Sequence, residues 1–400
     1  MMEQKVDIAV VGAGPVGLAA ALAAAAAGYE TCLVGPAAER RDGRTAALMV
    51  PAVELLRSFG IWPALASTAG ALRSLRIVDD TGSLFRPPPV TFRAAEIGLE
   101  AFGWNVENAA LVEALAAELQ RQAVPWRTSL VADYEVDEEA RLRLADGTVL
   151  RARLVIAADG RRSRIREAAG IAARQHRYPQ AAFTTLLRHE RPHGDVSTEF
   201  HRRAGPFTLV PLPGLRSSLV WVTQPRHAER LLAASDAELA AAVESGSHSI
   251  LGRVEPDGPR GLVPLAAISV ASMTGPRLAL AGEAGHVLPP IGAQGLNLGM
   301  ADVAELGRLL REAGGADPGA APLLARYGRA RETEVRLRSL GVDGLNRSLL
   351  AGFAPLDAVR GLGLGLLGGI GPLRRAAMRA GFAGRSPFSR PEPRGEARRS

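Results

Sequence analysis

Near its N-terminus the chain carries Gly12-Ala13-Gly14-Pro15-Val16-Gly17, a glycine spacing with a definite chemical use. Gly12 permits a tight turn. Gly14 lets the backbone approach a pyrophosphate with no side chain in the way, and Gly17 lets a helix pack closely on a sheet. A helix opening at Pro15 would turn unpaired N–H groups and the positive end of its dipole toward the phosphates. The chemistry expected is dinucleotide binding. The same fingerprint expects a ribose-binding acid about 20 residues on, at the end of the second strand. Gly35 occupies that place, and Glu30 lies too early to serve. The ribose contact is therefore missing or comes from another segment, while the pyrophosphate contacts are untouched.

Two further stretches carry chemistry. Leu154-Val155-Ile156-Ala157-Ala158-Asp159-Gly160 is an apolar run ending in Asp-Gly, followed by 161–166, rich in arginine. Later come Gly282-Glu283-Ala284-Gly285-His286 and Pro289-Pro290-Ile291-Gly292-Ala293-Gln294-Gly295-Leu296-Asn297. The turn at 290–299 can offer backbone N–H groups and a helix N-terminus to developing negative charge. Histidine is the side-chain type most used as a general base, but the position of His286 suits packing against the turn. His189, His193 and His201 cluster loosely among strands and turns, and no metal site is expected from them. Asp302, on the following helix, is either close to the cofactor or solvated. No side chain stands out as the catalytic acid or base.

These residues need elements to hold them. Val6–Val11 reads as a buried parallel strand, Leu18–Ala27 as a helix stopped by Gly28, and Thr31–Val34 as a second strand. Together they make a βαβ unit and imply a doubly wound sheet. In the middle, Ala181–Leu187, Phe207–Leu212 and Leu219–Thr223 are strand-like and separated by Pro/Gly turns, which predicts antiparallel pairing. Phe207 and Trp221 belong to the core or to the roof of a substrate cavity. Leu278–Ala281 is a strand again, followed by a helix from about Leu296 to Leu310. Later helices are expected at Ala321–Arg338, Leu345–Val359 and Leu373–Ala380.

Composition sets limits. The 400 residues are 47% hydrophobic, which excludes global disorder, and the lone Cys32 excludes a disulfide scaffold or a cysteine zinc site. The net charge of +7 is almost all arginine, since Lys5 is the only lysine. The arginines form no basic stripe and no recognition module accompanies them, so nucleic acid is not an expected partner. The apolar run Ile8–Gly28 is read as strand, turn and helix rather than signal peptide or membrane span, because Glu3, Asp7 and the glycines oppose both alternatives.

The opening glycines, Arg44 in Asp42-Gly43-Arg44-Thr45-Ala46, Asp159-Gly160 and the 282–297 stretch resemble, in order and spacing, the class A flavin monooxygenases. Phe102–Asn108, Gly205-Pro206-Phe207, Pro211-Leu212, 218–221 and 291–299 narrow the resemblance to the ubiquinone-biosynthesis hydroxylases, over about Val6 to Leu345. The resemblance implies an α/β fold: a Rossmann-like FAD-binding domain (1–75, 101–178, 271–344) with an inserted antiparallel-sheet substrate domain (76–100, 179–270). C-terminal helices (345–384) and a disordered tail (385–400) would follow.

It implies FAD held by Gly12, Gly14, Pro15, Gly17, Arg44, Asp159, Gly160, Gly282, Glu283, Pro290, Gly292, Gly295, Leu296 and Asn297. Glu283 stands where the family has an aspartate toward the ribityl chain. It also implies hydroxylation of a polyprenylated phenol or quinone precursor by dioxygen, through a flavin C4a-hydroperoxide. With one glycine fingerprint and no second dinucleotide domain, NAD(P)H binds transiently or a protein donor supplies the electrons. Two alternatives stay open: another aromatic or isoprenoid substrate on the same fold, or a catalytically weak scaffold, which Gly35 and Glu283 keep in view. The expected location is cytoplasmic, peripheral on the inner membrane face, with ubiquinone-biosynthesis proteins as partners. Residues 345–380 mix leucines with Arg347, Arg360, Arg374, Arg375 and Arg379. They form either an interfacial segment on anionic lipid or a hairpin packed on the FAD domain.

Overall fold

The computed structural model describes residues 3–37, 43–82, 88–289, 294–350, 365–367 and 369–382, with the backbone alone at 294, 339–350 and 380–382. Pro290 and Gly292 lie outside the described residues, as do Asp42, 351–364 and the tail after 382.

Strands Leu278–Leu280, Val149–Ala157, Glu3–Val11 and Thr31–Val34 lie side by side and run parallel. Ile8, Ala9, Val10, Leu33, Leu154 and Val155 have no solvent exposure, as strands covered on both faces require. Helix Pro15–Ala26 follows the first strand and buries Gly17 through Ala24 without a break. Its side chains are small enough for helices Asn108–Arg121 and Gln294–Ala313 both to pack on it. It stops at Gly28, whose φ of +87° is the left-handed geometry of a helix end.

The second sheet runs Gly261–Val270, Ala173–His189, Arg216–Thr223, Phe207–Leu212, Val196–His201, Ser74–Asp79, Val90–Arg93. Neighbours are antiparallel except for the parallel pair Val196–His201 and Ser74–Asp79. Side chains alternate between its faces. Phe183, Trp221, Phe207 and Phe200 stand in register across four strands. They form a core with Ala228, Leu231, Leu239 and Val243 of helices Pro225–Ala233 and Asp236–Gly246. Of the two places expected for Phe207 and Trp221, the fold selects the core. The opposite face looks toward the parallel sheet.

The C-terminal part differs from the sequence reading. A single helix, Ala321–Leu350, replaces the first of the expected helices and the start of the second. Gly341 and Gly344 do not interrupt it, since an internal glycine costs only about 1 kcal/mol. A further helix, Gly371–Phe382, buries Met378 against Val90, Phe92, Ala94 and Phe102. No helix among the described residues is long and apolar enough to cross a membrane.

Candidate cofactor and substrate cavity

Between the two sheets lies a cavity of about 810 Å³. Gly14, Pro15, Arg44, Gly160, Gly282, Glu283, Gly295 and Leu296 line it on the side of the parallel sheet. The glycines show different reasons for being glycine. Gly12 has φ +111°, and a Cβ there would sit 2.2 Å from the Ala158 carbonyl oxygen. A Cβ on Gly17 would sit 1.7 Å from the Gly12 carbonyl oxygen. These two hold the turn together and do not line the cavity. Gly14 does, and a Cβ there would meet nothing within 4 Å. It is the N-cap of the Pro15–Ala26 helix in extended geometry, with no side chain capping the helix. Gly295 opens the helix Gln294–Ala313 and likewise faces open space. Two helix N-termini thus border one cavity, an arrangement suited to the phosphates and other electron-rich groups of a dinucleotide.

Gly35 has φ +142°, and a Cβ there would sit 3.3 Å from the Ala13 amide nitrogen, tight against the Gly12–Ala13 turn. Its carbonyl accepts a hydrogen bond from Trp126 Nε1 at 2.8 Å. The missing acid is therefore a packing position of the turn.

Asp159 and Asn297 act behind the wall. The Asp159 carboxylate accepts from the Ile165 amide at 3.4 Å in the short helix Arg164–Ala168, which Ser163 caps, while its Oδ1 is buried with no partner. Burial pushes its carboxyl up, against the hydrogen bonds of Ser163 and the Ile165 amide. Asn297 Oδ1 accepts from the Met49 amide at 2.8 Å and its Nδ2 donates to the Ala47 carbonyl at 2.7 Å. It ties the helix start to strand Thr45–Met49, whose Thr45, Ala46, Ala47 and Met49 line the cavity beside Arg44. Glu283 is half-exposed and pairs with Arg161 at 3.3 Å.

Under the Gly282 turn sits a buried cluster that the sequence did not specify. Asp302 has no exposure, so it is not the solvated alternative. Its Oδ2 accepts from the Gly282 amide at 2.8 Å and from His286 Nε2 at 2.7 Å, and its Oδ1 from Arg331 Nε at 2.6 Å. Burial works to raise the Asp302 carboxyl, and its His286 and Arg331 partners outweigh this and leave it below the usual carboxylate range. His286 is sealed behind the turn and does not line the cavity, so it has no access to a substrate as a base.

The opposite wall comes from the antiparallel sheet: Leu75, Ile77, Phe92, Ala182, Val210, Val220, Val263 and Leu265, with Thr184, Ser197, Thr208 and Ser218 among them. Ala377 and Met378 close one side. Asn105 Nδ2 reaches the Pro211 carbonyl and Ser218 Oγ, both at 3.1 Å, and Thr45 Oγ1 donates to Ser218 Oγ at 2.8 Å, joining the walls. Asn105 Oδ1, Asn108 Oδ1 and Thr184 Oγ1 are buried at this cavity without a partner. Orphaned polar atoms of this kind are what a bound polar ligand satisfies. Asn105, Asn108 and Ser218 stand in stretches that carry the family resemblance, but none of these side chains was assigned a site role from sequence, because each is an ordinary polar residue until the two sheets meet. Among the histidines, His189 bonds Ser217 at 3.0 Å and His193 bonds the Leu212 carbonyl at 2.9 Å, both away from the cavity. Only His201 of the three lines it.

A glycine-walled dinucleotide cradle facing an apolar antiparallel sheet across one cavity defines a flavin-dependent oxidoreductase. The chain matches the FAD binding domain family over residues 5–336 and belongs to that family. It is 36% identical over 387 residues to the ubiquinone hydroxylase UbiL of Rhodospirillum rubrum, covering 93% of this chain and 88% of that protein. It is 32% identical over 392 residues to the 3-demethoxyubiquinol 3-hydroxylase of Escherichia coli, covering 95% and 99%. Klebsiella pneumoniae HpxO, solved with FAD and uric acid, shares the fold at a TM-score of 0.76 and 20% identity, over 94% of this chain and 97% of that one. The protein is an FAD-dependent monooxygenase, and FAD is its cofactor.

Proposed function

We propose that the protein hydroxylates the aromatic ring of a polyprenylated ubiquinone precursor, using dioxygen and FAD. The observation that carries this is one cavity with two unlike walls. One is backbone-rich and flanked by helix N-termini; the other is an apolar sheet with a few polar side chains. The first suits FAD, held by Gly14, Pro15, Arg44, Gly160, Gly282, Glu283, Gly295 and Leu296. Gly12, Gly17, Asp159 and Asn297 keep that wall in shape. The second suits a prenylated ring. Bound FAD supplies the activation of dioxygen. The chain's own part is to orient the ring, exclude water and handle the ring hydroxyl's proton. The two hydroxylase relatives support the substrate class. The reductant is NAD(P)H bound transiently or a protein donor.

The same reading includes contact with a membrane surface. Leu366, Ile370 and Leu373 are exposed around the start of helix Gly371–Phe382, whose Met378 reaches the cavity. Arg375 and Arg379 lie on the same helix, a mixture suited to anionic lipid. The test of function is expression in a host lacking one ubiquinone-ring hydroxylase. Restored ubiquinone with loss of the accumulated precursor is expected. Purified protein that retains FAD while every such host keeps its precursor would reject the substrate class.

A further inference from the structure

The apolar sheet wall carries one carboxylate and one imidazole that no role so far uses. Ser197, Glu199 and His201 alternate on strand Val196–His201 and all line the cavity. His201 Nε2 lies 2.7 Å from Glu199 Oε1. His201 is only 3% exposed, and its Nδ1 is buried with no partner. With Nε2 as donor, His201 gives Glu199 Oε1 a hydrogen bond and holds that carboxylate in place from behind. Glu199 Oε2 has no hydrogen-bond partner among the described residues, and the Glu199 side chain keeps partial exposure where it lines the cavity.

The surroundings make this pair distinctive. Thr208, in register with Glu199 on one side, is uncharged, and Ile77, in register on the other, is apolar. On strand Ser74–Asp79, Arg76 also lines the cavity. Asp79, in register with His201, is buried and turned to Thr81 Oγ1 at 2.6 Å. A carboxylate held open on an apolar wall, with a histidine behind it, is built to accept a proton or hydrogen bond from whatever fills the cavity.

We propose that Glu199 accepts the hydroxyl proton of the phenol substrate, with His201 as its positioning residue; this rests on the substrate reading above. As the ring donates electron density to the incoming oxygen, its hydroxyl becomes strongly acidic. The O–H bond breaks, its electron pair moves into the ring system as a carbonyl forms, and the proton passes to Glu199 Oε2. When the carbon that has gained oxygen releases the proton of its original C–H bond to water and the ring regains aromaticity, Glu199 returns its proton to the carbonyl oxygen. Glu199 ends as it began, and no further oxidant is consumed.

The test uses FAD-loaded full-length protein and a phenol bearing one short isoprenoid chain, beside its methyl ether, which has no proton to give. Wild type is expected to hydroxylate the phenol and to bind it about tenfold more tightly than the ether. Glu199→Leu should erase that preference while keeping FAD, as read from ligand titration of the oxidised protein. Glu199→Gln should lower kcat by about 100-fold or more, with KM little changed. His201→Gln should lower kcat less and alter the acid side of the pH profile, and Glu199→Asp should recover part of the rate. A Glu199→Gln protein with wild-type kcat and pH profile, or a Glu199→Leu protein that still prefers the phenol, overturns the assignment and leaves the substrate reading intact. A wild-type protein that neither binds nor oxidises any prenylated phenol overturns both.

Discussion

Gly14 is a residue whose missing side chain the fold itself does not require. Its backbone is extended, and the direction of a Cβ is open cavity. Gly14→Val should therefore fold normally, with a melting temperature close to wild type for apoprotein. It should nonetheless purify without flavin absorbance, because the side chain occupies the pyrophosphate path. A Gly14→Val protein that is yellow at full stoichiometry would remove Gly14 from the cofactor contacts. Gly12 and Gly17 are different, since their missing side chains would collide with backbone, and substitution there attacks folding first. The spacing already assigns the three glycines different tasks. The fold adds which atoms lie within reach of a Cβ: for Gly12 the Ala158 carbonyl, far away in sequence, and for Gly17 the carbonyl of Gly12 itself.

At the scale of elements, the cavity's floor depends on a buried ionic strut. Asp302 joins the Gly282 turn, His286 and, through Arg331, the helix Ala321–Leu350. Removing one member leaves charge uncompensated in the interior, which costs about 3–5 kcal/mol. Asp302→Asn should lose stability on that scale in denaturant titrations at neutral pH. The folded-state carboxyl is depressed, so its stabilisation is present above the unfolded value of about 3.9. It is lost as pH falls through the folded one. The gap between wild type and Asp302→Asn should therefore close in strong acid, and a gap constant down to pH 2 would contradict the depressed value. The elements themselves were largely legible. Thr31–Val34 and Phe207–Leu212 fall where their β-rich runs and flanking turns put them. The strut was not legible, because a lone aspartate on a helix has the same pattern whether it meets water or an arginine from a later helix. Strand Val196–His201 was also missed: Ser, Thr, Glu and His dilute its alternation, and those polar residues are the ones facing the cavity.

For the whole molecule, the cavity is complete only when Gly371–Phe382 docks. Arg374 pairs with Glu96 at 2.8 Å, and Met378 fills the space between Phe92 and Phe102. A chain ending at Leu350 should keep cooperative folding and FAD. It should lose association with anionic liposomes at low salt and show a raised KM for the prenylated phenol. Unchanged liposome binding would exclude this helix as the lipid contact, and global unfolding would make it mainly a packing element. The docking also has a timing. Arg374 and Glu96 are 278 residues apart. At about 5–20 residues per second of translation, Glu96 emerges from the ribosome roughly fifteen seconds to a minute before its partner. Throughout that interval the nascent cleft has no wall on that side, whereas the finished protein does. A molecule that enters from that side therefore meets a wider opening before Gly371–Phe382 emerges than after Ala377 and Met378 have taken their places in the wall.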